Sequence, residues 1–260
     1  MPRAFWKGVI SFGLVAIPVK MYVGSESKTL SFHLLHKKCL TRPKQVLRCE
    51  TDNEYFGIKD TVRGYEIAKD QYIVLDDKDF ENVPIKTSHA IDIIGFIEAR
   101  ELDPIYYAGL HYLEPEELGA KPFQLLREAL VKTGRLGIGK VTFQRREHLC
   151  CLRPLGDVII LHSLRYEKEI LPRNEISSPK SKLTAAELDM AVSLVKAMAK
   201  PFKPEEYKDE YREALKKVVD AKNKGIKITA PAAARVEMGD LMASLRASIE
   251  AAKKEPALKR

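Results

Sequence analysis

A chain of 260 residues, 45% hydrophobic and 31% charged, suits one large domain or a domain with an appendage, and holds enough apolar material for a core. A formal net charge of +8 favours a polyanionic partner such as nucleic acid without requiring one. Four cysteines, with Cys150 and Cys151 adjacent, exclude a disulfide scaffold and read as a reducing compartment; no apolar run approaches the ~18 residues that span a bilayer.

VISFGLVAIPV, residues 9–19, follows Arg3 and Lys7 and mimics a short secretory signal. Phe5 and Trp6 crowd its basic end, Pro18 and Lys20 interrupt its far end, and VGS at 23–25 is a poor cleavage site, so it is read as structure. Residues 4–23 predict two strands joined near Gly13. Val15, Ile17, Val19, Met21 and Val23 alternate onto one face, and Pro18 predicts an edge or a bulge. Further strands are predicted at 29–36, 44–49, 63–67, 71–75, 89–98 and 106–113. A helix follows over 120–133, with Phe123, Leu126, Leu130 and Val131 inward and Gly134 at its end. Strands 138–146, 148–153 and 157–166 come next, with turns expected at Glu147-His148 and Leu155-Gly156-Asp157. Many short strands with short turns indicate a barrel or sandwich.

The character changes after residue 171. Residues 171–182 compose a linker, and Thr184 with Glu187 forms a capping box. The helix it opens carries Leu188, Ala191, Val192, Val195 and Met198, until Pro201 and Pro204 break it. A second helix over 205–222 carries Tyr207, Tyr211, Leu215, Val218 and Val219, and Gly225 ends it. ITAPAAAR, 228–235, is low in complexity and expected to be mobile. Residues 238–254 predict a short amphipathic helix with Leu241, Met242, Leu245 and Ile249 on one face; Lys253, Lys254, Lys259 and Arg260 make a basic end.

Two motifs imitate chemistry. Gly134 to Lys140 satisfies G-x4-G-K, but Val141 stands where a phosphate loop needs Ser or Thr, and the helix precedes the glycines instead of following them. A helix end and a turn into a strand is the better reading. His33, His36, Cys39 and Cys49 have zinc-ligand chemistry, yet two histidines three apart on a strand project to opposite faces, so no metal is expected. No nucleophile, metalloprotease or kinase motif occurs.

The basic residues form two groups: Arg42, Lys44 and Arg48, and Arg135, Lys140, Arg145 and Arg146, with Arg153 on the next strand. Each group alone also reads as a solvated face. Asn and Gln are scarce beside them and aromatics are not interleaved, which favours phosphate contact over base readout or stacking.

FWKGVISFGLVAIPVKMY at 5–22, SFHLLH at 31–36, RGYE at 63–66, DPIYY at 103–107, ALVKTGRLGIGK at 129–140, LRPLGDVIILHSLRY at 152–166 and KDEYREAL at 208–215 together resemble bacterial Ku. DLMASLRASIEAAKK at 240–254 looks like that family's ligase-binding tail. The resemblance implies a mainly β mixed fold: an antiparallel β-barrel core with extended ring-forming strands and a helical C-terminal arm from about 183. The core would span 1–225, with a linker and ligase-binding helix over 226–260. It implies a homodimeric ring threaded on double-stranded DNA ends in non-homologous end joining, protecting and bridging them and recruiting a multidomain ATP-dependent ligase. No catalysis, metal, nucleotide or membrane is implied, and the location would be cytoplasmic and nucleoid-associated. Some relatives carry paired cysteines after the SFHxLH segment, where this chain has only Cys39 and Cys49, and the tail here is short.

On this footing Arg42, Lys44, Arg48, Arg135, Lys140, Arg145 and Arg146 are the expected phosphate contacts. Leu241, Met242, Leu245 and Ile249 are expected to dock on the ligase as a helix in a groove, or else to pack on the protein's own core. A general duplex-coating protein and a nuclease are the rival readings.

Overall fold

A computed structural model describes residues 3–83, 89–144, 146–173, 176–177, 181–226 and 241–254. The chain divides into two compact units, Met1–Arg173 and Asn174–Arg260.

In the first unit β1 (Trp6–Phe12) and β2 (Val15–Val23) form a hairpin turning at Gly13, whose φ of +58° suits a residue without a side chain. Two separate hairpins follow: β3 (Leu47–Arg48) with β4 (Tyr55–Phe56), then β5 (Arg63–Ala68) with β6 (Gln71–Leu75). Helix α1 (Asp77–Glu81) is closed by a reciprocal capping box between Asp76 and Asp79. Then come β7 (Ala90–Glu98), β8 (Tyr107–Pro115), α2 (Ala120–Thr133), β9 (Arg135–Phe143), β10 (Arg146–Leu155) and β11 (Val158–Leu164). Seven strands close a barrel in the order β1-β2-β8-β11-β10-β9-β7. The expected all-antiparallel barrel is corrected at the closure: β1 and β7 run parallel, Val9 to Ser11 opposite Ala90 to Asp92.

Alternation fills the interior. Ile10, Ile17, Val19, Met21, Ile91, Leu152, Ile159 and Leu161 have no exposed surface, and Phe123, Leu126 and Leu130 of α2 pack against the same core. Burying each such side chain contributes about 1.5–3 kcal/mol. A second cluster of Leu136, Cys151 and Leu164 gathers Ile97, Leu102, Tyr106 and Tyr107. His111 and His148 flank Phe143, with ring centroids 5.3 and 4.0 Å from it. His111 Nδ1 and His148 Nε2 are buried without a hydrogen-bond partner.

Several predicted boundaries move. Residues 29–36 form no strand and, apart from half-buried Leu30, are exposed; strand propensity alone does not hold a segment that has no ladder partner. The 44–49 strand shrinks to β3. Val15, Val23 and Val131 point to solvent. Pro18 opposes Val9 inside the barrel, but the β2–β8 ladder stops one residue away at Val19 opposite Pro115. The turn expected at Glu147-His148 lies between Phe143 and Arg146, with Gln144 at φ +52°.

In the second unit α3 (Ala185–Met198) starts at the Thr184–Glu187 capping box. A 3₁₀ turn at Pro204–Glu206 delays α4 (Glu210–Asn223), which Asp209 caps through the Arg212 amide at 2.9 Å. α5 is Leu241–Lys254. The apolar stripe predicted for α3 is corrected: Leu188, Val192, Val195 and Met198 are exposed, while Met190, Ala191 and Leu194 are the half-buried residues. In α4, Tyr211 and Val219 are exposed, as is Tyr207 before it, and Leu215 and Val218 are half-buried. The 228–235 segment, residues 238–240, Lys259 and Arg260 lie outside the described residues.

Candidate nucleic-acid interface

Between β2 and β7 the chain leaves the barrel. There KKCLTRPKQVLR, residues 37–48, holds five cations and no acid, and Lys37, Lys38, Arg42, Lys44 and Arg48 are all exposed. A tight loop shapes its start: the Leu40 amide donates to His36 O at 2.7 Å, the His36 amide to Thr41 O at 2.9 Å, and Leu40 takes φ +54°. Arg48 sits in β3 and donates to Asn53 Oδ1, a neutral partner that leaves the guanidinium charge in place. Lys37 and Lys38 were missed at the level of sequence; the uninterrupted absence of acids from 37 to 48 was the signal.

The second basic group is built differently. Lys140 Nζ donates to Glu147 Oε1 at 2.9 Å, and Arg146 pairs with Glu169. Those bonds raise both cations' pKa values, hydrogen bonding first and charge second. Glu169 also accepts the Tyr166 amide at 2.8 Å, and the Arg146 hydrogen bond is the main reason its carboxyl is held below the usual range. The Tyr166 phenol, beside all four charges, is pushed up mainly by burial. Arg135 stands opposite Glu98, and Lys140 opposite Asp92, in the β7–β9 register. Arg145 lies outside the described residues. The acidic partners Glu147 and Glu169 were not foreseen: with the turn misplaced, Lys140 and Glu147 are not diagonal neighbours, whereas the true register makes them so.

The imitated motifs resolve into structure. Gly134 is the left-handed end of α2 at φ +63°. Gly139 lies in β9, where an added Cβ would come within 2.5 Å of Asp92 O. His36 Nδ1 is 3.1 Å from Cys39 Sγ, itself 2.9 Å from Thr41 Oγ1. Among the described residues no group of three or more His, Cys, Asp or Glu side chains could hold a metal ion, and no described helix is long and apolar enough to cross a membrane.

On α5, Leu241 is exposed and Met242, Leu245 and Ile249 are half-buried. This helix packs against α3.

Residues 11–190 match the family model "Ku70/Ku80 beta-barrel domain"; the chain belongs to the Ku family. Over nearly its whole length it is similar to proteins named Non-homologous end joining protein Ku. That of Solibacter usitatus is 39% identical over 264 residues, covering 100% of this chain and 99% of the relative. That of Archaeoglobus fulgidus is 40% identical, covering 96% and 100%. The Frankia casuarinae relative is 41% identical over 96% of this chain but only 64% of its own length.

Proposed function

We propose that the chain binds ends of double-stranded DNA regardless of sequence, as a ring-shaped homodimer, and recruits an ATP-dependent end-joining ligase through α5 during double-strand break repair. It is a binding protein rather than an enzyme. The observation that carries this reading is the exposed, acid-free cationic stretch of residues 37–48 outside the barrel. Lys and Arg side chains neutralise phosphates whatever the sequence.

The same excursion exposes Phe32, Leu34, Leu40, Tyr65, Ile67 and Ile73. β5 is exposed at every position. So much apolar surface outside the core suits burial against a second copy. In this reading Arg42, Lys44 and Arg48 contact phosphate directly. Lys140 and Arg146 do so only by exchanging Glu147 and Glu169 for DNA, and Arg135 and Arg145 complete the second basic group. Leu241, Met242, Leu245 and Ile249 form the ligase-docking face, with α5 the helix that enters a groove of the ligase.

The deciding experiment is competition between a linear duplex and the same sequence as a relaxed closed circle. A ring that loads from ends captures the linear form at least tenfold better. Equal capture would support a duplex-coating protein, and cleavage of labelled duplex in magnesium would expose a nuclease.

A further inference from the structure

Met190, Ala191 and Leu194 lie on one side of α3, and Met242, Leu245, Ile249 and Ala252 on one side of α5; these are the half-buried apolar residues of the two helices, and the helices pack together. Apolar residues three, four and seven apart share a helix face. The face of α5 is therefore already shaped to receive a helix. Its occupant begins at the Thr184–Glu187 capping box, which does not involve α5. The occupant also has a second apolar side: Leu188, Val192, Val195 and Met198 are exposed. Hence α3 is not confined to α5 for the burial of apolar surface.

We propose that α3 masks the partner-docking face of α5, and that the partner's groove is lined by an amphipathic helix patterned like Met190-Ala191-x-x-Leu194, which displaces α3 on binding. The identity of the partner as the ligase rests on the function proposed above; the mask itself does not. A tethered competitor acts at an effective concentration of order millimolar. The partner's apparent affinity is lowered by the fraction of molecules in which the mask is closed. Weakening α3 without touching α5 must then tighten partner binding, whereas it would weaken binding if α3 belonged to the docking surface.

The probe is a fluorescent peptide of residues 184–198, TAAELDMAVSLVKAM, titrated with full-length protein. Met190→Ser/Leu194→Ser protein binds it at least tenfold more tightly than the wild type, and adding Leu245→Ser removes the gain. Equal binding by wild type and double variant, or a gain that survives Leu245→Ser, overturns the mask. Amide exchange on the same proteins gives a second measure: α5 exchanges faster in the double variant and regains protection when the peptide is added. Unchanged exchange overturns the proposal even if binding is weak, and retained duplex binding shows that the barrel unit is folded. In ligation assays the double variant reaches half-maximal stimulation at roughly tenfold less ligase, and a loss of stimulation overturns displacement. Full stimulation by Leu245→Ser alone would instead reject α5 as the ligase-docking helix, while the peptide titration still decides the mask.

Discussion

Lys140 of β9 and Glu147 of β10 meet at 2.9 Å on a cross-strand diagonal, and Arg146 meets Glu169 beside them. Two of the cations proposed to contact phosphate are thus already held by carboxylates, at a partly exposed site where salt screens such pairs. Removing the carboxylate charge frees the cations. Glu147→Gln/Glu169→Gln protein is expected to bind short duplex more tightly. Its plot of log K against log salt should steepen by up to about 0.9 for each freed cation that meets a phosphate. Anisotropy titrations over a salt series measure both. An unchanged slope would remove Lys140 and Arg146 from the interface.

No acidic residue interrupts the stretch from Lys37 to Arg48, and its cations should matter more. Arg42→Glu/Lys44→Glu/Arg48→Glu protein is expected to lose at least 100-fold in duplex affinity at low salt, whereas Lys140→Glu/Arg146→Glu protein loses tenfold or less. The two titrations at one salt concentration rank the groups; a reversed order would move the interface to β9 and β10.

Stability should fall in mild acid. Burial lowers the pKa values of His111, His148 and His162 in the folded protein, against about 6.5 in the unfolded chain. Between those values the unfolded chain binds more protons, so unfolding free energy rises with pH. Stability is therefore full above about pH 6.5 and drains as pH falls from there to the folded values. Carboxylates such as Glu169, whose pKa values are lowered, act in a separate window, below about pH 4.3. Thermal melts at matched ionic strength should show Tm several degrees lower at pH 5 than at pH 7, with a shallower slope in His111→Phe protein.

Gly139→Ala forces a Cβ against Asp92 O of β7, a backbone atom that cannot swing away. Overpacking of this kind costs about 1–3 kcal/mol. Chemical denaturation should show that loss, and ATP should leave the melting of both proteins unchanged.

The thiols should separate by reactivity. Cys39 is exposed and its pKa is lowered, chiefly by the Thr41 hydroxyl. Cys150 and Cys151 are fully buried; burial pushes Cys150 strongly up and Cys151 up to about 11. A thiol-disulfide reagent at neutral pH should modify Cys39 within seconds to minutes and reach Cys150 and Cys151 only in denaturant.

What the sequence determined by itself was local: the period-two burial of Ile17, Val19 and Met21, α2 over residues 120–133 ended by Gly134, and α3 begun at Thr184. Each follows from side-chain alternation, a left-handed glycine or a cap, within a few residues. The tertiary structure alone decided the parallel β1–β7 closure, the carboxylates facing Lys140 and Arg146, and which side of α3 is covered. Those depend on partners tens of residues distant. A turn misplaced by three residues changes the register and every pair that register creates. Charge was legible from the residue letters, whereas its availability to DNA depended on what the fold placed beside it.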